Sequence, residues 1–198
     1  MAIFGGLILT NNGRNLLAKA QTGKILKFTK IVLGDGSLGS TESITNITQL
    51  KNQVLVCGII KKQVTKNVNA TLTFNLNNQN LETSFYWREI GVIAEDPDTK
   101  QEILYCYGNA GENGEYISEK GGADILEKNV NIELIIDNVE NITVIIDESM
   151  VFALQEDLEK AEQQINKTLT LNAESTDNQY PSAKCVYNAI IGALEVSY

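Results

Sequence analysis

With 198 residues, 43% of them hydrophobic, the chain has room for one ordinary domain plus an appendage, or for two small domains. Its formal net charge of −9, from 16 basic and 25 acidic residues, repels phosphate, so no nucleic-acid partner is expected. There is no histidine, which removes the commonest general base and metal ligand, and the three cysteines, Cys57, Cys106 and Cys185, are far apart with no CxxC pair, which argues against a disulfide framework or zinc site.

No stretch approaches the roughly 20 apolar residues that span a bilayer, so membrane insertion is not expected. The apolar start from Met1 to Thr10 has no basic flank and no small-residue cleavage site. It reads as packed structure, and the protein is expected to begin life in a cytoplasm. The first element is a helix capped by Thr10, with Leu16, Leu17 and Ala20 as its apolar stripe and Gly23 as its end. Asn12-Gly13 in the first turn blurs its start.

From Leu26 to Asp147 the hydrophobic period is mostly two. Gly34-Asp35-Gly36 follows the apolar strand Ile31-Val32-Leu33; it lacks the Gly-Lys-Ser/Thr of a P-loop and the spacing of a dinucleotide loop, and reads as a turn. Residues 37–48 form a polar loop. Cys57 sits in the apolar run Val54 to Ile60, and Cys106 in Leu104-Tyr105-Cys106-Tyr107, so both read as small buried hydrophobes. The basic run Lys61-Lys62 with Lys66 reads as a solvated strand end. Ala70, Leu72, Phe74 and Leu76 alternate with Thr71, Thr73, Asn75 and Asn77, the pattern of a half-buried strand.

Glu89, in the strand Phe85-Tyr86-Trp87-Arg88-Glu89-Ile90, is the best candidate for an acid of glycoside hydrolysis, with Arg88 on the other face. A charge inside an aromatic strand more commonly marks an ion pair or an interface. Asp96-Pro97-Asp98-Thr99-Lys100 is a turn between two strands; its two aspartates resemble half of a calcium loop, but Lys100 stands where a further ligand is needed. Residues 108–122 read as loop, with Tyr116 and Ile117 its only large apolar side chains. Val130, Ile132, Leu134 and Ile136 alternate along one strand, and Ile142, Val144 and Ile146 along another. The turn Asp137 to Asn141 between them predicts a hairpin.

Beyond Asp147 the period changes. Val151, Leu154, Leu158, Ala161 and Ile165 follow the 3-4-3-4 spacing of a coiled-coil seam, about two heptads long. The same spacing suits a lone amphipathic helix packed on the preceding domain. Residues 168–179 form a polar linker, and Pro181 opens a second helix whose stripe is Ala183, Val186, Ile190 and Ala193. The chain reaches Tyr198 without a stop signal, so the natural protein or its assembly is expected to continue. The predicted fold is α+β: a mostly antiparallel β head with an N-terminal helix over residues 1–149, a coiled-coil helix over 150–167, and a linker with a second short helix over 168–198.

Three stretches resemble a known family. LTNNGRNLLAKAQTGKILKFTKIVLGDG from Leu9, FYWREIGVIAEDPDTKQEILYCYGNAGENGEYI from Phe85, and the closing strands from Asn129 to Asp147 are similar to the N-terminal domain of phage tail-collar fibre proteins. That family occurs in contractile-tailed phages and R-type bacteriocins. Ser118-Glu119 departs from it where proline is expected after Ile117. Separately, Ser175 to Tyr187 looks like a short segment that recurs in fibre shafts. The resemblance implies a virion structural protein assembled in the host cytoplasm, forming the baseplate-anchoring head of a homotrimeric tail fibre. Its expected partners are a baseplate wedge protein similar to the phage tail protein I family and a distal receptor-binding region. In such a trimer Val151, Leu154, Leu158, Ala161, Ile165, Val186 and Ile190 would form the interface. Tyr116 and Ile117 would contact the baseplate, unless they fold back onto the core.

Two rival readings remain at this point. A receptor- or carbohydrate-binding protein would present exposed aromatics in a groove, whereas the single Trp87 lies in an apolar strand. A glycan depolymerase would need a longer chain and a convincing acid pair. No catalytic residue, cofactor or metal ligand is therefore assigned.

Overall fold

A computed structural model of the chain describes residues 2–39, 41–65, 69–122, 125–136, 141–147, 167–168, 180–181 and 186. The chain divides into two compact units, Met1–Val151 and Phe152–Tyr198.

The first unit holds one α-helix and eleven strands among the described residues. Helix α1 (Asn11–Gln21) begins where Thr10 accepts a hydrogen bond from the Gly13 amide on Oγ1 at 2.9 Å. The same hydroxyl donates to the Leu104 carbonyl at 2.6 Å, so one buried side chain caps the helix and pins it to a strand. Leu16 and Ala20 are buried beneath it while Leu17 is half-buried. Gly23, at φ +94°, ends the helix as expected.

Strand β1 (Ile8–Leu9) pairs with β8 (Glu102–Asn109); β8 pairs with β7 (Glu89–Glu95), and β7 with β2 (Leu26–Gly34), all antiparallel. The other edge of β2 is shared. Strand β3 (Gln53–Cys57) takes residues 31–34, and β11 (Ile142–Val144) lies parallel along residues 26–28. Strand β2 is also covered on both faces: Leu26, Phe28, Ile31 and Leu33 are buried in the main core, and Val32 in a second cluster with Ile47, Leu50, Leu104 and Tyr107. A second sheet holds β4 (Ile59–Thr65), β5 (Asn69–Asn77) and β10 (Glu127–Ile135), with β5 central. A two-stranded ribbon pairs β6 (Phe85–Trp87) with β9 (Glu115–Ile117).

The expected hairpin between the last two strands of the head does not form. Strand β10 pairs along its whole length with β5, and β11 joins β2 in parallel. Each strand finds a better edge elsewhere. Ile132 and Leu134 sit beside Leu72 and Ala70 over the same core, while β3 covers only part of β2 and leaves Leu26 to Phe28 open for β11. Residues 141–147 then stitch the two sheets together, with Ile145 N donating to Phe28 O and Asp147 N to Ile59 O, both at 2.9 Å.

The alternation along β5 holds on its apolar face, where Ala70, Leu72, Phe74 and Leu76 are fully buried. Its polar face is also covered. Thr73 and Asn75 are 6% exposed, bonded to Asn131 and Asn129 at 2.8 and 3.0 Å. Cys57 and Cys106 are buried free thiols, both pushed up to about 12 by desolvation, and so behave as small hydrophobes. The turn at Asp96 forms as predicted. Asp96 O accepts from Lys100 N at 2.9 Å, and Lys100 adopts φ +62°. Lys19 of α1 bonds the Asp96 carboxylate at 2.8 Å and Asp98 at 3.1 Å, and Lys24 pairs with Asp98. The hydrogen bond from Lys19 is the main cause holding Asp96 below the usual carboxyl range. These aspartates serve a helix-to-turn clamp.

In the second unit, β12 (Lys167–Thr168) pairs in parallel with β13 (Tyr180–Pro181). Pro181 is thus extended and does not open a helix, and Thr168 belongs to a strand pair and not to a linker. Val186 has helical backbone and is exposed. Residues 151–165 and Ile190 lie outside the described residues, and with them the coiled-coil seam.

Gly13 lets α1 approach β8 so closely that a Cβ there would overlap the Tyr105 carbonyl. Helix propensity alone makes Gly→Ala favourable by about 1 kcal/mol. Backbone overlap opposes it, and Gly13→Ala should instead destabilise the head by about 2 kcal/mol in urea denaturation. A stabilised Gly13→Ala chain would contradict this packing.

Candidate functional site

The strand expected to run from Phe85 to Ile90 breaks at Arg88, and the two halves serve different purposes. The Arg88 amide donates to Gly34 O at 2.9 Å, and its carbonyl accepts from Ala110 N at 2.8 Å. On one side of the break lies Glu89, which is fully buried. Its Oε1 accepts from Lys51 N at 2.8 Å and from the Tyr107 hydroxyl at 2.7 Å. Its Oε2 accepts from Gly36 N at 2.9 Å and Asn52 N at 3.0 Å. Asn109 Nδ2 donates to the Tyr107 hydroxyl and to Gly36 O, at 2.8 and 3.1 Å, closing the ring of contacts. The Trp87 indole N–H donates to the backbone carbonyl of Glu89 at 3.1 Å.

Gly34-Asp35-Gly36 is thus a turn that does offer a backbone donor to an anion, but the anion is the protein's own carboxylate. A Cβ on Gly36 would come within 2.5 Å of Glu89 Oε2, so the close approach requires glycine. Burial, and then the bond to Glu89, raise the Tyr107 hydroxyl well above its ordinary pKa. Tyr107 is therefore a protonated donor at any physiological pH. The Glu89 side chain itself is sealed from solvent, and the candidate acid of the sequence is a structural tie.

On the other side of the break, the β6–β9 ribbon has two unlike faces. Phe85, Trp87 and Ile117 are buried on the inner face. Tyr86 and Tyr116, paired directly across the ribbon, are 47% and 57% exposed. Their ring centroids stand 5.4 Å apart at 61°, and the Arg88 guanidinium lies over the Tyr86 ring at 4.8 Å. Arg88 Nη1 also donates to Asp35 O at 3.3 Å. The ribbon is tied inward through Glu115, which pairs with Lys128 at 2.7 Å, and Lys128 in turn lies over Trp87 at 5.5 Å.

The segment read as a bare loop over 108–122 therefore contains a strand, and the two residues proposed there for baseplate contact part company. Tyr116 is available at the surface. Ile117 is sealed in the core and cannot touch a partner. From sequence Arg88 is expected only on the face opposite Glu89, and Tyr86 carries no role; the signal is the Tyr86–Tyr116 register, visible only once β6 and β9 are paired. Of the proposed trimer-interface residues only Val186 is described, as above.

A family model for the N-terminal part of phage tail-collar fibre proteins matches residues 1–156. The chain belongs to that family. No curated protein and no solved structure matches it. The match spans the whole of the head, including the Glu89 cage and the tyrosine ribbon. This tail-fibre chain is accordingly a structural, virion-associated protein.

For the tail-fibre head, Glu89→Gln replaces one acceptor oxygen with a donor facing N–H groups. It should cost about 2–4 kcal/mol of stability in chemical denaturation. Limited proteolysis should reach residues 35–52 faster in this variant. Unchanged stability would show that the cage ties nothing down.

Proposed function

We propose that this chain is the proximal part of a tail fibre, whose head anchors the fibre to the baseplate and whose C-terminal part leads to a distal receptor-binding region. The family match over residues 1–156 carries this reading. The physical character of the head supports it. A small domain with two stitched sheets, a caged carboxylate and a helix pinned by its cap is built for rigidity, and a rigid body transmits force and holds orientation. The residues that suggested chemistry are spent on structure: Glu89 in the cage, Asp96 and Asp98 on Lys19 and Lys24.

In the same proposal, the seam of Val151, Leu154, Leu158, Ala161 and Ile165, followed by Val186 and Ile190, joins three copies. The trimer brings three heads to one attachment point, and the baseplate wedge protein is their partner. The particle is a contractile-tailed phage or a bacteriocin of the same build.

Particles produced without this chain should keep baseplate and sheath but show no fibres in electron micrographs, and should fail to adsorb to host cells. Supplying the full chain during assembly should restore both. Fibres of normal number and length in its absence would sink the proposal.

A further inference from the structure

The exposed ribbon carries more information than a generic surface. Tyrosine and arginine are the residue types enriched where binding energy concentrates in protein interfaces. Here two tyrosines and one arginine share one small face, and their conformations are fixed before any partner arrives. Tyr86 and Tyr116 brace each other edge to face. Arg88 is held over Tyr86 and onto Asp35 O. A Cβ on Gly114 would stand 2.7 Å from Arg88 Cγ, so glycine at that position opens the path the arginine takes across the ribbon. Side chains ordered in advance lose little entropy on binding.

The geometry points to the Tyr86–Tyr116–Arg88 face as the docking site of the head, and to a protein surface presenting lysine or arginine side chains as its occupant. This rests on the attachment reading above and names the surface and the chemistry of its partner. Charge selects the occupant. The segments leading into and out of the ribbon expose the carboxylates of Glu82, Glu112 and Glu119, opposed by Lys120 and by Arg88 on the face itself, so the balance stays acidic, on a chain of net charge −9. Cations of the partner meet these carboxylates and the ring surface that Arg88 and the edge-to-face contact leave exposed, chiefly that of Tyr116, where cation–π attraction adds to the charge term. A sugar is a poorer fit. Stacking a sugar needs a flat, free aromatic platform, whereas the two rings here are tilted at 61° and one face of Tyr86 is already covered by Arg88.

The test measures co-sedimentation of the purified full-length chain with fibreless particles across a range of sodium chloride concentrations. The wild-type chain should bind, and binding should weaken as salt rises. Tyr86→Thr/Tyr116→Thr, which keeps β-branched residues on the ribbon, should retain the wild-type melting temperature and bind about tenfold more weakly or worse. Glu82→Gln/Glu112→Gln/Glu119→Gln should weaken binding and flatten its salt dependence. If the wild type binds and the tyrosine variant binds equally, the dock lies elsewhere and the attachment reading survives. If the wild type does not bind at all, the attachment reading fails with it. Binding that tightens as the acidic residues are removed would overturn the basic partner. Binding to host-surface glycans that is lost in the tyrosine variant would overturn the protein partner in favour of a sugar.

Discussion

One buried carboxylate organises the head. Glu89 gathers backbone donors from the turn at Gly36, from Lys51 and Asn52, and a hydroxyl from Tyr107, four hydrogen bonds from three separate parts of the chain. Removing a charge from water costs several kcal/mol, and only a full set of short, charge-assisted bonds offsets it. The arrangement is therefore all or nothing. A neutral or smaller side chain would leave backbone amides of the cage short of acceptors. The cage also fixes what lies beside it. Trp87 donates to the Glu89 carbonyl, Arg88 bonds to Gly34 and Ala110, and the strand must break between them. That break separates β6 from β7 and leaves β6 to pair with β9, with Tyr86 and Tyr116 turned outward.

The elements that were legible in the sequence are those written in local chemistry. Thr10 caps α1 and Gly23 ends it, as residue type and spacing imply. The alternation from Ala70 to Leu76 marks a strand with one apolar face, and Asp96-Pro97-Asp98 makes its turn. The failures share one cause, long-range pairing. The runs ending at Ile136 and beginning at Ile142 suit a hairpin as well as they suit β5 and β2, and only the open edges of distant strands decide between them. Thr73 and Asn75 look like surface residues until β10 supplies Asn131 and Asn129. Residues 108–122 look like loop because glycine and asparagine dominate, yet Glu115–Ile117 pairs with a ribbon partner about thirty positions earlier.

The same reasoning explains how the candidate site divided. Glu89 drew notice because a charge among aromatics is costly, and the cost is real; it is met by structure and not by chemistry on a substrate. Tyr116 and Ile117 were adjacent candidates of similar size, but adjacent strand positions face opposite sides, so one became core and the other surface. What the sequence could not display was the company Tyr116 keeps. Family membership gives the setting, a tail fibre, and the ribbon gives a surface on which that setting has physical meaning.

Amide hydrogen exchange at Gly36, Lys51 and Asn52 tests the central claim most directly. If the Glu89 carboxylate ties these loops into the fold, the three amides should exchange only when the head unfolds globally, as slowly as amides in the middle of β2. Exchange at the rate of open loop amides, with β2 still protected, would contradict the account.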